Sequence, residues 1–77
     1  MITPEQCKMA RVGLGWSVRD LAQHAGVGAS TVNRFETGSV EPIAATLAAM
    51  QRALESAGIE FIPENGGGPG VRLGKKA

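Results

Sequence analysis

Little in this chain can staple a fold. Its 77 residues include one cysteine, Cys7, and one histidine, His24. A single cysteine closes no intramolecular disulfide, and one Cys with one His falls short of the four ligands of a structural zinc site. No metal and no other cofactor is expected. Tyrosine is absent and aromatic residues make up only 4%. Nothing resembles a nucleophile elbow, a P-loop or a pair of catalytic carboxylates, so the chain does not read as an enzyme. Gly66-Gly67-Gly68-Pro69-Gly70 is glycine-rich but lacks the Lys-Ser/Thr ending and following helix that cradle phosphate, so it reads as a turn. No apolar run approaches the roughly 20 residues of a membrane span. The start, Met1 to Glu5, lacks the basic and apolar segments of a signal peptide. The expectation is a reduced, cytoplasmic protein with no membrane partner and no small-molecule ligand.

A basic excess is missing too. The formal net charge is +1, and six of the eight Lys and Arg residues precede Lys75, against seven Asp and Glu. Without Lys75 and Lys76 the chain carries no positive surplus, which at first sight argues against nucleic acid, a partner that favours a basic surface. The length allows one small domain. A domain of this size buries only about 60% of the surface its unfolded chain exposes. The fold must stand on packing, or on packing plus oligomerisation.

What is present is helix punctuation. Thr3-Pro4-Glu5-Gln6 starts a first helix, with Thr3 as cap, Pro4 at the first position and Gln6 completing a capping box. Cys7, Ala10, Arg11 and Leu14 form its inner stripe, and Gly13 and Gly15 end it. An arginine on that stripe needs a partner. Ser17 and Asp20 form a second capping box, with Trp16 placed as a hydrophobic staple toward Leu21. This second helix turns Val18, Leu21, Ala22 and Ala25 inward and stops at Gly26. A third runs from about Ala29 to Glu36, with Val32 and Phe35 inside. Pro42 is expected to open a fourth, reaching about Ala57, with Ile43, Leu47, Met50, Leu54 and Ala57 as one apolar seam.

After Gly58 the period changes. Ile59-Glu60-Phe61-Ile62 and Val71-Arg72-Leu73 read as short strands of a hairpin around the turn-rich stretch from Asn65 to Gly70. The expected fold is mainly α, with four to five helices and a short C-terminal β-hairpin. Residues 1–58 form the main domain, 59–73 an extension and 74–77 a loose tail. An isolated hairpin is marginal in water. Ile59, Phe61, Ile62, Val71 and Leu73 are therefore expected to pack on another copy and dimerise the protein. Cys7 is read as a small core hydrophobe, His24 as an exposed helix residue, and Trp16 as a staple and not a stacking platform.

Between Val18 and Phe35 the pattern becomes specific. Two short helices meet at Gly26, whose turn needs a left-handed residue, and their close crossing needs the small Ala22. Gly15-Trp16-Ser17-Val18-Arg19-Asp20-Leu21-Ala22, Gly26-Val27 and Thr31-Val32-Asn33-Arg34-Phe35-Glu36-Thr37-Gly38 together resemble the phage-repressor, Cro-like helix-turn-helix family, also called the XRE family. The resemblance covers roughly residues 4 to 58. It implies a lambda-repressor-like fold and a partner, double-stranded DNA.

The resemblance also implies roles. It pairs Arg11 with Glu36, which explains the arginine on the inner stripe. It puts Gly28, Ala29, Ser30, Thr31, Asn33 and Arg34 at or near the bases. Backbone contacts fall to Ser17 and Arg19 at the start of the second helix, and to Thr37 in the loop after the third. Many relatives have glutamine where this chain has Val18, so a side-chain contact is lost there. The implied function is a homodimeric, sequence-specific transcriptional regulator, with repression by occlusion as the simplest output. An activator using the same surface is one alternative, and an antitoxin-type protein-interaction module is another.

Overall fold

A computed structural model describes residues 2–64 and 66–74. The elements run α1 (Pro4–Gly13), α2 (Val18–Ala25), α3 (Ala29–Glu36), α4 (Ala44–Ser56), β1 (Ile59–Ile62) and β2 (Gly70–Leu73). Thus the described residues hold four helices and one two-stranded antiparallel sheet. The expected tail residues Lys75, Lys76 and Ala77, and the turn residue Asn65, lie outside the described residues.

Local chemistry accounts for the helix ends. Thr3 and Gln6 close a reciprocal capping box on α1, and Ser17 and Asp20 close another on α2, each satisfying amides that the first helical turn leaves open. Gly26 caps α2 at φ +69°, and Val27 N–H donates to the Ala22 carbonyl at 3.0 Å. That left-handed conformation is cheap only for glycine, and it lets α3 begin with only three residues between it and α2.

The core lies where the four helices meet. Leu21, Met50, Leu54, Val32 and Cys7 are its largest fully buried side chains, with Ala10, Ala22, Phe35 and Leu47 around them. Ala22 is buried at the crossing of α2 and α3, where a larger side chain would hold the helices apart.

Three expectations need correction. Helix α4 begins at Ala44, not at Pro42. Ile43 is its N-cap, with extended backbone (φ −62°, ψ 155°), so its side chain is out of helical register. It is 73% exposed and does not belong to the apolar seam.

The hairpin, secondly, is not a free extension. Its register pairs Ile59 with Leu73, Glu60 with Arg72, Phe61 with Val71 and Ile62 with Gly70. Side chains alternate across a strand, so Ile59, Phe61, Val71 and Leu73 share the inward face. Ile59 is buried in the core, and Phe61 and Val71 pack against it. Strand β1 lies on α4 and β2 on α1. Ile59 is enclosed by the protomer's own packing, and Phe61 and Val71 are half-buried against it. Among the five hairpin residues expected to dimerise, only Ile62 and Leu73 stay exposed. Gly74, expected in the tail, donates its amide to the Gly58 carbonyl and closes the base of the hairpin. A Cβ on Gly74 would lie 2.6 Å from that oxygen, which only glycine avoids.

The third correction concerns Trp16. It packs partly on the core, yet its indole also stacks on the His24 imidazole, centroids 4.1 Å apart and planes within 5°. The stack joins the residue before the cap of α2 to its last turn, where His24 lies.

Candidate nucleic-acid interface

Helix α3 is anchored from inside. Val32 and Phe35 are buried, one turn apart on the inner face. This orientation leaves Ser30, Asn33 and Arg34 exposed on the opposite side, with Ala29 and Thr31 half-buried at the flanks. Gly28 is the N-cap and provides no side-chain cap. The first amides of α3 therefore remain open donors at the positive end of the helix dipole.

The far end of α3 is locked by an ion pair. Arg11 Nε meets Glu36 Oε2 at 2.8 Å and Arg11 Nη2 meets Glu36 Oε1 at 2.9 Å. The third guanidinium nitrogen, Nη1, donates to the Trp16 carbonyl at 2.8 Å. Arg11 thus joins α1, the end of α3 and the turn before α2 in one fixed fork. The side chains retain only 12% and 6% of their exposure. Hydrogen bonding to Glu36 raises the Arg11 pKa further, against the opposing effect of burial. Cys7 Sγ lies 3.5 Å from the same Glu36 oxygen. Burial first, and the Glu36 charge second, push the Cys7 thiol up to about 12. Cys7 is therefore a neutral thiol, unsuited to nucleophilic or redox chemistry at neutral pH.

At the start of α2, Ser17 N–H donates to Asp20 Oδ2 at 2.8 Å, and Asp20 N–H donates to Ser17 Oγ at 3.1 Å. The amide bond from Ser17, followed by its hydroxyl, holds the Asp20 carboxyl below its ordinary range. The Ser17 amide is consequently engaged and an anionic carboxylate sits beside it. The donors left open at this end are the Val18 and Arg19 amides and the exposed Arg19 side chain.

Thr37 is bound more tightly into the protein than expected. Its amide donates to the Asn33 carbonyl, and the amides of Gly38 and Ser39 donate to Phe35 and Arg34. The Thr37 hydroxyl caps the Asn33 and Arg34 carbonyls at 3.0 and 3.2 Å and meets Ser39 Oγ at 3.0 Å. The loop amides are spent on closing α3, so the expected backbone-to-phosphate contact at Thr37 has no free donor in this conformation.

Lys8, Arg19, Arg34 and Arg52 are exposed, and none of these four forms an ion pair among the described residues; Arg19 lies on α2 and Arg34 on α3. Among the described residues there is also no group of three or more His, Cys, Asp or Glu able to hold a metal, and no helix is long and apolar enough to cross a membrane.

One buried structural contact has no counterpart in the sequence pattern. Gln6 is 3% exposed, and its Nε2 donates to the Ile62 carbonyl at 3.1 Å and the Gly70 carbonyl at 3.0 Å. Its Oε1 accepts the Thr3 amide at 2.9 Å. The capping box revealed half of this role; the other half joins residues far apart in the chain and left no local signal.

A family model described as a helix-turn-helix domain matches residues 5–60. That span takes in most of α1, all of α2, α3 and α4, and the first residues of β1. Comparison with curated proteins gives no match.

Proposed function

The chain belongs to the helix-turn-helix domain family, and from that premise we propose that it is a sequence-specific transcriptional regulator of double-stranded DNA. In this reading two copies act as a repressor, each laying α3 in the major groove of one half of a palindromic operator. The observation that carries it is the exposed row Ser30, Asn33 and Arg34 on a helix whose opposite face is fixed by Val32 and Phe35.

The chemistry of that row suits base edges. The major groove admits one α-helix. Arg34 can donate two parallel hydrogen bonds to guanine O6 and N7, and Asn33 matches the donor and acceptor of adenine. Ser30 accommodates either, and Ala29 offers a methyl to thymine. Arg19 and the open amides at the starts of α2 and α3 face phosphate.

A single protomer brings few positive groups, so its binding is weak and its salt dependence shallow. Two protomers on half-sites about 34 Å apart compensate. Occlusion of a promoter needs no further contact, and such a regulator works on DNA in the cytoplasm.

The test is selection of a random duplex pool at low salt, followed by mobility shift. Enrichment of a two-fold symmetric sequence is the expected result. A folded protein that enriches no sequence overturns the DNA reading in favour of an antitoxin-type interaction module.

A further inference from the structure

Trp16 is the chain's only tryptophan and His24 its only histidine, and their rings lie face to face, centroids 4.1 Å apart. The half-buried indole touches the core, and the imidazole, in the exposed last turn of α2, covers surface that the core leaves open. Such a stack holds both rings in one orientation. It is also the one side-chain contact of His24. Among the described residues His24 forms no ion pair, and Asp20, one turn before it, is engaged with the Ser17 amide at 2.8 Å.

The backbone of Trp16 is held as firmly as its ring. Its amide donates to the Arg11 carbonyl at 2.9 Å, and its carbonyl accepts from Arg11 Nη1 at 2.8 Å. The same guanidinium grips both oxygens of Glu36 at the end of α3. Residue 16 is thereby tied to α1 directly and to α3 through Arg11. These bonds fix where α2 begins but not the direction it takes. Leu21 and Ala22 hold only its middle. The stack adds an attachment at His24, about 10 Å along the helix from Ser17, so both ends of α2 are referred to one anchored residue.

We infer that Trp16 and His24 are positioning residues for DNA: with the Arg11 fork, their stack sets the direction of α2 relative to α3, so that Arg19 meets a phosphate while α3 occupies the groove. The inference rests on the DNA reading above and adds to it two residues that touch no DNA. Arg19 and Arg34 stand on different helices, and one duplex meets both only if those helices keep a single relative angle. Phosphate contacts fix the register in which bases are read. His24 does not obstruct Arg19. Five positions separate them, which turns the two side chains about 140° apart around α2.

The experiment compares the wild type with His24→Ala and His24→Phe, because Trp16→Ala would also remove packing on the core. On the free protein, His24→Ala is expected to weaken the near-ultraviolet circular-dichroism band of the single indole and to leave the melting temperature unchanged. On the selected duplex it is expected to bind about two- to tenfold more weakly, the range of one aromatic pair, and equally so across sequences. Ethylation interference locates the loss, with Arg19→Ala marking which phosphate Arg19 meets. Interference at that phosphate is expected to fade in His24→Ala, while interference from methylation of the guanine that Arg34 reads is retained. His24→Phe, which keeps a flat ring on the indole, is expected to restore the band, the affinity and the phosphate. An unchanged band in His24→Ala overturns the stack. A lost band with wild-type affinity and the same phosphate overturns the positioning role and leaves the DNA reading standing, as does a loss at phosphates and bases alike with a lower melting temperature. A folded wild type that selects no sequence overturns the DNA reading and this inference with it.

Discussion

Gln6 and Gly70, 64 positions apart in the chain, are joined by a 3.0 Å hydrogen bond from side-chain amide to carbonyl. The second amide hydrogen of Gln6 goes to Ile62, the strand partner of Gly70. One buried side chain thus ties the loop end of the hairpin to the first turn of α1. Gln6→Ala is expected to destabilise the protein by about 1–3 kcal/mol, because the bonds are lost in a water-poor site. Amide exchange should accelerate first in β1 and β2. Gln6→Glu is expected to be worse at neutral pH, since a carboxylate would face two carbonyl oxygens.

The Arg11–Glu36 pair makes a second prediction. Removing one partner strands a charge that is almost fully enclosed, so Arg11→Ala is expected to cost about 3–5 kcal/mol and to lower the melting temperature clearly. Arg11→Lys recovers only part of this, because an ammonium cannot reproduce the two-point contact and also reach Trp16. The double variant Arg11→Met, Glu36→Leu is expected to be more stable than Arg11→Ala. If Arg11→Ala melts like the wild type, the pair does not brace the fold.

Arg34 is the contrasting arginine. It is exposed and, among the described residues, forms no ion pair. Arg34→Ala is expected to leave the melting temperature unchanged and to lose about 1–3 kcal/mol of base discrimination. Repeating the pool selection with the variant reads this directly. Recovery of the same site with the same preference would remove Arg34 from base reading.

Cys7 carries the pH prediction. Its thiol ionises near 9.0 in an unfolded chain and at about 12 in the folded one. The folded state therefore holds a proton that the unfolded state releases. The stability this proton provides is complete below pH 9 and falls progressively as pH rises toward 12. Cys7→Ala is expected to flatten that decline in chemical-denaturation curves. In the native protein at neutral pH, Cys7 is also expected to resist alkylation until the chain opens.

Much of this was legible in order along the chain. Both capping boxes, the glycine stop at Gly26 and the span of α3 depend on contacts within four residues, and local sequence encodes such contacts fully. The start of α4 was misread because Pro42 suits the first turn of a helix but equally suits the extended approach to one. Ile43 was misread with it, since one shift in the start of a helix moves a side chain off the apolar face. At Thr37 the error was of another kind: sequence marks a loop but does not show that its amides are already bound to Asn33, Phe35 and Arg34.

The sequence by itself determined the helices, their ends, the turn at Gly26 and the outward row on α3, because periodicity and capping are local. It also determined that no disulfide staples the chain, since one cysteine cannot pair within it. Only the tertiary structure decided where the hairpin goes. Ile59 and Leu73 share one strand face, yet one is buried against α4 and the core while the other stays open beside Gly13. Alternation assigns a side chain to a face, but distance from the packed helices decides whether that face is covered. For the same reason the hairpin, which in sequence looked like a separate dimerisation arm, packs on the core through Ile59, Phe61 and Val71.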